Sequence, residues 1–225
     1  MTQSPLAGAT AALRGAALTF VADPFLVPSR DALRHEPDAL VVVADGRIAA
    51  FGPAAEWLPA LPPAVPVTRC DDALIVPGFI DTHVHYPQLP IVAAYGRTLL
   101  DWLDDYTYVA EQRFADPAFA AAVAEAFLDE SLRQGTTTAM VYGSVHAASV
   151  DAIFAAAERR GLRLIAGKVL MDRHAPAALT DTAQSGGYVA GGHLGQAPQE
   201  PCVGCDVLER RQQPVAFGDQ ANYRG

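Results

Sequence analysis

The sequence predicts an α/β protein. Residues 78–182 alternate strand-like and helix-like runs in the order β-α-β-α-β, which points to parallel strands with helices packed outside them. Residues 1–77 are rich in Ala, Val and Pro and carry short β-prone runs, as a small β domain would. Hydrophobic residues make up 51% of the 225-residue chain, enough for a sizeable core.

In the first zone, Leu40 to Ala44 and Arg47 to Phe51 flank Asp45-Gly46. Asp-Gly between two β-prone runs is a hairpin signal, because a type I′ turn needs positive φ at both central residues. The prolines between Pro59 and Pro66 rule out a helix there and mark a loop. In the second zone, Phe79 to His85 reads as a strand. Asp116-Pro117 opens a helix, with Asp as the cap and Pro at the first helical position. That helix carries Phe119, Val123, Ala126 and Phe127 on one face and stops at Gly135. Thr136 to Tyr142 is a β-branched, aromatic-ended strand. Ser149 begins a second helix that Gly161 closes, and Leu162 to Met171 is the third strand. An open doubly wound sheet fits this periodicity as well as a barrel does. No glycine-rich phosphate loop follows any of the strands, so nucleotide binding has no support. From about residue 186 the apolar periodicity stops and Gly, Gln and Arg become more frequent, which predicts a poorly ordered tail.

The formal charge of −9 argues against nucleic acid or an anionic membrane surface as a partner. No apolar run is long enough for a spanning helix, and Ala16 to Ala22 is too short for a secretory leader. Three cysteines, Cys70, Cys202 and Cys205, make no disulfide framework, so a cytoplasmic location is expected.

Chemistry concentrates in Pro77-Gly78-Phe79-Ile80-Asp81-Thr82-His83-Val84-His85. Side chains alternate across a strand, so His83 and His85 point the same way and can grip one metal ion. Neutral imidazole suits Zn²⁺, with Fe²⁺ as the alternative. Asp81 lies one step deeper and is placed to orient a ligand through an N–H bond. An isolated His-x-His is more often a surface pair; its place at the end of the first strand of an α/β run favours the ligand reading.

The segment resembles the first-strand signature of the amidohydrolase superfamily. The continuation narrows the likeness. His85-Tyr86-Pro87-Gln88, Leu99-Leu100-Asp101-Trp102-Leu103, Phe114-Ala115-Asp116-Pro117, Gly135-Thr136-Thr137-Thr138 and Gly167-Lys168-Val169-Leu170-Met171-Asp172-Arg173 resemble the guanine deaminase branch. The resemblance implies a TIM-type (β/α) barrel preceded by part of a small β-sandwich, and a hydrolase that turns guanine into xanthine and ammonia with a metal-activated water. It assigns His83 and His85 to the metal and Gln88 to the purine, whose edge an amide can read as both donor and acceptor. A small-molecule purine substrate and a homodimer are the partners it implies. Another purine, pterin or triazine aminohydrolase of the superfamily is the alternative, and a degenerate, non-catalytic fragment is the competing class.

The resemblance does not run to the end of the chain. The family's remaining ligands, two histidines and an aspartate, come from later strands, as do its proton-moving glutamate and an arginine-phenylalanine pair that holds the base. None can be placed in residues 186–225, so no catalytic residue is assigned. Three β-α units occupy about 105 residues, so eight would need roughly 280, close to the ~250 of whole barrels. The expected organisation is therefore a β domain over 1–77, a partial barrel of about three units over 78–185, and a tail over 186–225 unlike the family. Such a chain is truncated and expected to be inactive alone. The loss of family character near Gly186 suggests a frameshift or truncation, which sequencing the DNA across that point would reveal.

Other residues carry weaker signals. His146 and His174 follow the second and third strands and are candidates for pocket lining, although a loop histidine is more often solvated. Asp172-Arg173 could form an ion pair on the same rim. Trp102, Tyr106 and Tyr108 could cover a flat purine or simply pack. Gly192-His193-Leu194-Gly195 and Pro201-Cys202-Val203-Gly204-Cys205 are similar to a cytidine-deaminase zinc motif, but Gly195 stands where that chemistry needs a glutamate, and chance is the preferred reading. His35 is assigned no role.

Overall fold

The computed structural model describes residues 6–171 and 174–181, together with the backbone of 206–208. These residues fall into two compact units that divide between Pro77 and Gly78.

The first unit holds strands β1 (Ala9–Phe20), β2 (Leu33–Ala44), β3 (Arg47–Pro53) and β4 (Val67–Ile75), with the single-turn helices α1 (Ser29–Ala32) and α2 (Ala54–Trp57). The sheet order is β3-β2-β1-β4. β1 and β3 run antiparallel to β2, and β4 runs parallel to β1. The β2–β3 connection is the expected hairpin: Ala44 pairs with Arg47, and Asp45 and Gly46 have φ of 51° and 71°. Leu6, Ala12, Leu40, Val42, Ala50 and Ala54 form its small core. β1 and β4 approach closely at Gly15, where an added Cβ would lie 2.6 Å from the Cys70 carbonyl oxygen.

The second unit holds β5 (Phe79–His85), β6 (Thr136–Tyr142), β7 (Arg163–Gly167) and β8 (Asp206–Leu208), in the order β5-β6-β7-β8. β5, β6 and β7 are parallel, and β8 adds to β7 antiparallel. The tail expected over 186–225 lies outside the described residues except for this strand. Between β5 and β6 run a 3₁₀ turn (Tyr86–Ile91), helix α3 (Leu99–Trp102), a π-helical turn (Leu103–Thr107), α4 (Tyr108–Gln112) and the long α5 (Pro117–Arg133). Helix α6 (Ala147–Arg160) joins β6 to β7.

Helix α5 starts where the sequence marks it, with the Asp116 carboxylate accepting from the Ala118 N–H at 2.9 Å. Gly161 closes α6 in the left-handed region, with φ of 66°. Two boundaries differ from expectation. α6 begins at Ala147 rather than Ser149, because the Ser149 hydroxyl is used inside the turn: it accepts from the Ser144 N–H at 2.9 Å and donates to the His146 carbonyl at 2.7 Å. β7 stops at Gly167 rather than running to Met171. Beyond it the Val169 N–H turns back to the Ser144 carbonyl, and Met171 donates to the Asp181 carboxylate.

The core lies between the sheet and its helices. Ala139 and Val141 of β6 and Leu164 and Ala166 of β7 pack with Val123, Phe127 and Leu128 of α5 and Val150, Ile153 and Phe154 of α6. Tyr86 anchors the chain leaving β5. It is fully buried, meets Phe114 edge-on at 5.3 Å, and donates its hydroxyl to the Ser149 carbonyl at 2.5 Å. Outside the core, Arg160 bridges from α6 to Glu125 and Asp129 of α5, at 2.6 Å to each.

Candidate functional site

Parallel sheets gather ligand sites at the carboxyl ends of their strands. Here that end carries His83 and His85, the last imidazoles of β5, and Tyr142, the last residue of β6, in register with His85. The ring centroids of His83 and His85 lie 5.3 Å apart, at 59° to each other. Tyr142 stacks on His85 at 4.6 Å with a 12° interplanar angle and meets His83 at 4.9 Å. The strand's register slips between Asp81 and Val84. Asp81 uses its carboxylate locally there, accepting from the His83 backbone N–H at 3.0 Å. Burial holds the His85 imidazole below its ordinary pKa, and the neighbouring His83 adds to the effect. The neutral form, which keeps a lone pair, is therefore the favoured one.

Gln88 follows in the 3₁₀ turn and is half-buried. The same turn packs against α4. His146 stands just ahead of α6, half-buried, with its Nε2 sealed from solvent and without a hydrogen-bond partner among the described residues. Burial lowers its pKa, the Lys168 ammonium lowers it further, and Asp181 works in the opposite direction. Lys168 and Asp181 form a buried ion pair just beyond β7, their side chains 7% and 9% exposed. This pair secures the segment after β7, since Asp181 also accepts from the Met171 N–H at 3.0 Å. His174 is exposed, with φ of 57°, and its carbonyl faces the Tyr108 hydroxyl at 3.5 Å.

Several expected lining residues have structural work. The Trp102 indole N–H donates to the Ala94 carbonyl at 3.2 Å, and its side chain fills the space beside Gly96. Tyr106 and Tyr108 are half-buried in the π turn and α4. His35 is exposed on β2. Asp172, Arg173, His193, Cys202 and Cys205 lie outside the described residues.

Three features were not assigned from sequence. Tyr142 reads as a strand-end aromatic, and only the register shows that it faces His85. The Lys168–Asp181 pair spans a loop and has no periodic signal. Glu111, on α4, is 4% exposed with no hydrogen bond or ion pair among the described residues, and burial pushes its carboxyl up to about 7. Thr107, one turn earlier, also buries a hydroxyl without a partner among the described residues.

The paired imidazoles are a donor set that divalent transition metals accept. Among the described residues no group of three or more His, Cys, Asp or Glu side chains converges on one point, so the histidine pair fits part of a coordination sphere.

Guanine deaminase of Escherichia coli is 46% identical over 154 residues, which cover 68% of this chain and 35% of that protein. The chain thus spans about a third of the length of that curated relative. The solved structure of E. coli guanine deaminase superposes with a TM-score of 0.73 at 42% identity, over 78% of this chain and 41% of that one. Guanine deaminase from Bradyrhizobium japonicum gives 0.69 at 39% identity, over 77% and 38%. A zinc-bound adenosine deaminase from Xanthomonas campestris shares the fold, with a TM-score of 0.60 at 23% identity over 78% of this chain and 37% of that one. The Amidohydrolase family model matches residues 74–213, a span of more than half the sequence that includes the whole strand bearing His83 and His85, and the chain belongs to that family.

Proposed function

We propose that this chain carries the first part of a guanine deaminase-like aminohydrolase, one that hydrolyses guanine to xanthine and ammonia. The observation that supports it most is the meeting of His83 and His85 at 5.3 Å on the carboxyl end of β5, in a chain 46% identical to a guanine deaminase. In this reading β5, β6 and β7 with α5 and α6 are the opening units of a TIM-type barrel, and the β1–β4 sheet is part of a β-sandwich.

His83 and His85 hold the metal, Zn²⁺ or Fe²⁺, which when bound polarises water for attack at the amino-bearing carbon of the base. The imidazoles do this as neutral donors, and burial at His85 favours that form. Gln88, in the turn that leaves β5, presents an amide that donates to and accepts from the purine edge. The buried Lys168–Asp181 pair holds the chain beyond β7 against the same end of the sheet. Among the described residues no third His, Cys, Asp or Glu completes a metal-holding group with the pair, and the Asp81 carboxylate accepts from the His83 backbone N–H, so the chain alone is expected to bind metal weakly and to turn over no guanine.

Grafting tests the assignment separately from that limit. Residues 78–171 should replace the equivalent segment of E. coli guanine deaminase with retention of xanthine formation, and His83→Ala in the graft should abolish it. A folded graft that releases ammonia from another purine, a pterin or a triazine but not from guanine would move the assignment to that branch of the superfamily.

A further inference from the structure

A metal-ligating histidine is normally oriented by a carboxylate or carbonyl that accepts its second ring N–H. Among the described residues neither His83 nor His85 has such an acceptor. Asp81, on the same strand, accepts from the His83 backbone N–H through one carboxylate oxygen and from neither imidazole. The χ2 torsion of histidine is broad and roughly two-fold, so an imidazole without a partner samples orientations that turn its lone pair away from the ion.

The contact that limits this freedom is aromatic. Parallel pairing sets Tyr142 opposite His85. Its ring lies almost flat on His85, at 4.6 Å and 12°, and abuts His83 at 4.9 Å and 52°. Both centroid distances are shorter than the 5.3 Å between the two imidazoles. Offset and tilted ring contacts at these separations are favourable beyond the area they bury. Tyr142 is 38% exposed and is not part of the buried core, so the ring contacts it makes are those with the histidines.

We propose that Tyr142 is a positioning residue: its ring, rather than its hydroxyl, fixes the rotamers of His83 and His85 so that their lone pairs converge on a divalent metal ion. The proposal rests on the assignment of His83 and His85 as metal ligands. It adds a residue from the neighbouring strand, so that the geometry of the pair depends on the β5–β6 register.

The test uses the full chain and two substitutions. Tyr142→Phe keeps the ring, and Tyr142→Met keeps bulk without one; Tyr142→Leu serves the same purpose if the methionine variant does not fold. In metal-free protein, the His85 ring protons feel the ring current of the stacked tyrosine. They should keep their shifts in Tyr142→Phe and move downfield in Tyr142→Met. In calorimetric titration with Zn²⁺, Tyr142→Phe should match the parent chain, and Tyr142→Met should bind about tenfold more weakly, the scale of losing an orienting group. Unchanged zinc affinity in Tyr142→Met, or an equal loss in Tyr142→Phe, would overturn the proposal. The metal assignment fails by a different result, equal zinc affinity in the parent and in a His83→Ala/His85→Ala double variant. The metal-free ring shifts then still report whether the stack exists.

Discussion

The β1–β4 sheet and the β5–β7 sheet keep their polar groups in different places. In the first unit the charged pairs are on the surface. Arg14 and Asp38 meet at 2.8 Å, and Arg69 and Asp71 at 2.7 Å, with at least one partner of each pair more than half exposed. Its core cluster is Leu6, Ala12, Leu40, Val42, Ala50 and Ala54, and among its described residues Thr19 is the one polar residue that is buried. The second unit buries polar groups. Glu111, Thr107, Ser144 and Ser149 are all buried, and the Lys168 and Asp181 side chains are at most 9% exposed. Two of its buried polar atoms, Thr107 Oγ1 and His146 Nε2, have no partner among the described residues. A buried polar group without a partner works against folding. In the proposed reading the first unit is framework, and the second carries the metal ligands His83 and His85.

The core gives the largest expected contrast. Phe114 is fully buried between Tyr86 and Phe119, and Leu40 is fully buried in the first unit. Phe114→Ala should cost about 3–5 kcal/mol and Leu40→Ala about 2–5 kcal/mol. Phe114 also braces Tyr86, which leads from the strand proposed to hold the metal, so its loss should weaken zinc binding as well. Leu40→Ala should leave zinc affinity unchanged in chains that remain folded. A zinc affinity that falls equally in both variants would erase the division between framework and site.

Glu111 comes next, and its effect has the opposite sign. Burial holds its carboxyl near 7, above the 4.5 of an exposed glutamate. Between those values the folded chain keeps the proton and the unfolded chain loses it. Stability therefore falls as pH rises through that window and stays low above about 7. Glu111→Gln removes the titration. It should be more stable than the parent by about 1–3 kcal/mol at about pH 8, with the gain shrinking toward zero near pH 5. Urea unfolding at both pH values measures this. A gain that does not depend on pH would mean that ionisation at Glu111 is not the source of the strain.

Ser149 tests whether the second unit's satisfied polar groups matter as much as its orphans. Its hydroxyl joins Ser144 to His146 across the β6–α6 connection. Ser149→Ala leaves the buried Ser144 N–H short of its partner, while the His146 carbonyl keeps the backbone N–H of residue 149, and should cost about 1–3 kcal/mol. Exchange protection of the Ser144 amide should fall first. Unchanged protection there would show that another group takes over the bond.

What could be read from the sequence divides along the same line. Features set by one or two local residues were legible. Asp45-Gly46 makes its turn because both residues adopt positive φ, and Asp116-Pro117 opens α5 because the carboxylate reaches the free N–H of Ala118. The His83/His85 pair follows from strand alternation alone, and the two rings do lie together. Features made by contacts far apart in sequence were not legible. Nothing local announces that β4 will pair parallel with β1, or that Gly15 admits the close approach of Cys70. Ser149 carries the right chemistry for a helix cap, but its hydroxyl bonds from inside the turn, which moved the start of α6 to Ala147. Tyr142 reads as a strand-former until the β5–β6 register sets it against His85, and Glu111 reads as a solvated charge until α4 is packed.

The smallest expected effect compares one backbone requirement in the two units. Gly46 sits in the β2–β3 turn with φ of 71°, and Gly161 ends α6 with φ of 66°. A Cβ added at either would meet no atom within 4 Å. Packing therefore contributes nothing at either position, and the penalty for alanine is the torsional one alone. Gly46→Ala and Gly161→Ala should each lower stability by about 1 kcal/mol. Asparagine, which tolerates the left-handed region better, should recover part of the loss at both. Neither change should alter zinc affinity or the His85 ring shifts. A much larger loss at Gly161 than at Gly46 would mean that the end of α6 supports more than its own torsion. The place to look would then be Leu162, whose N–H returns to the Ala157 carbonyl and whose side chain packs against the core that carries β7.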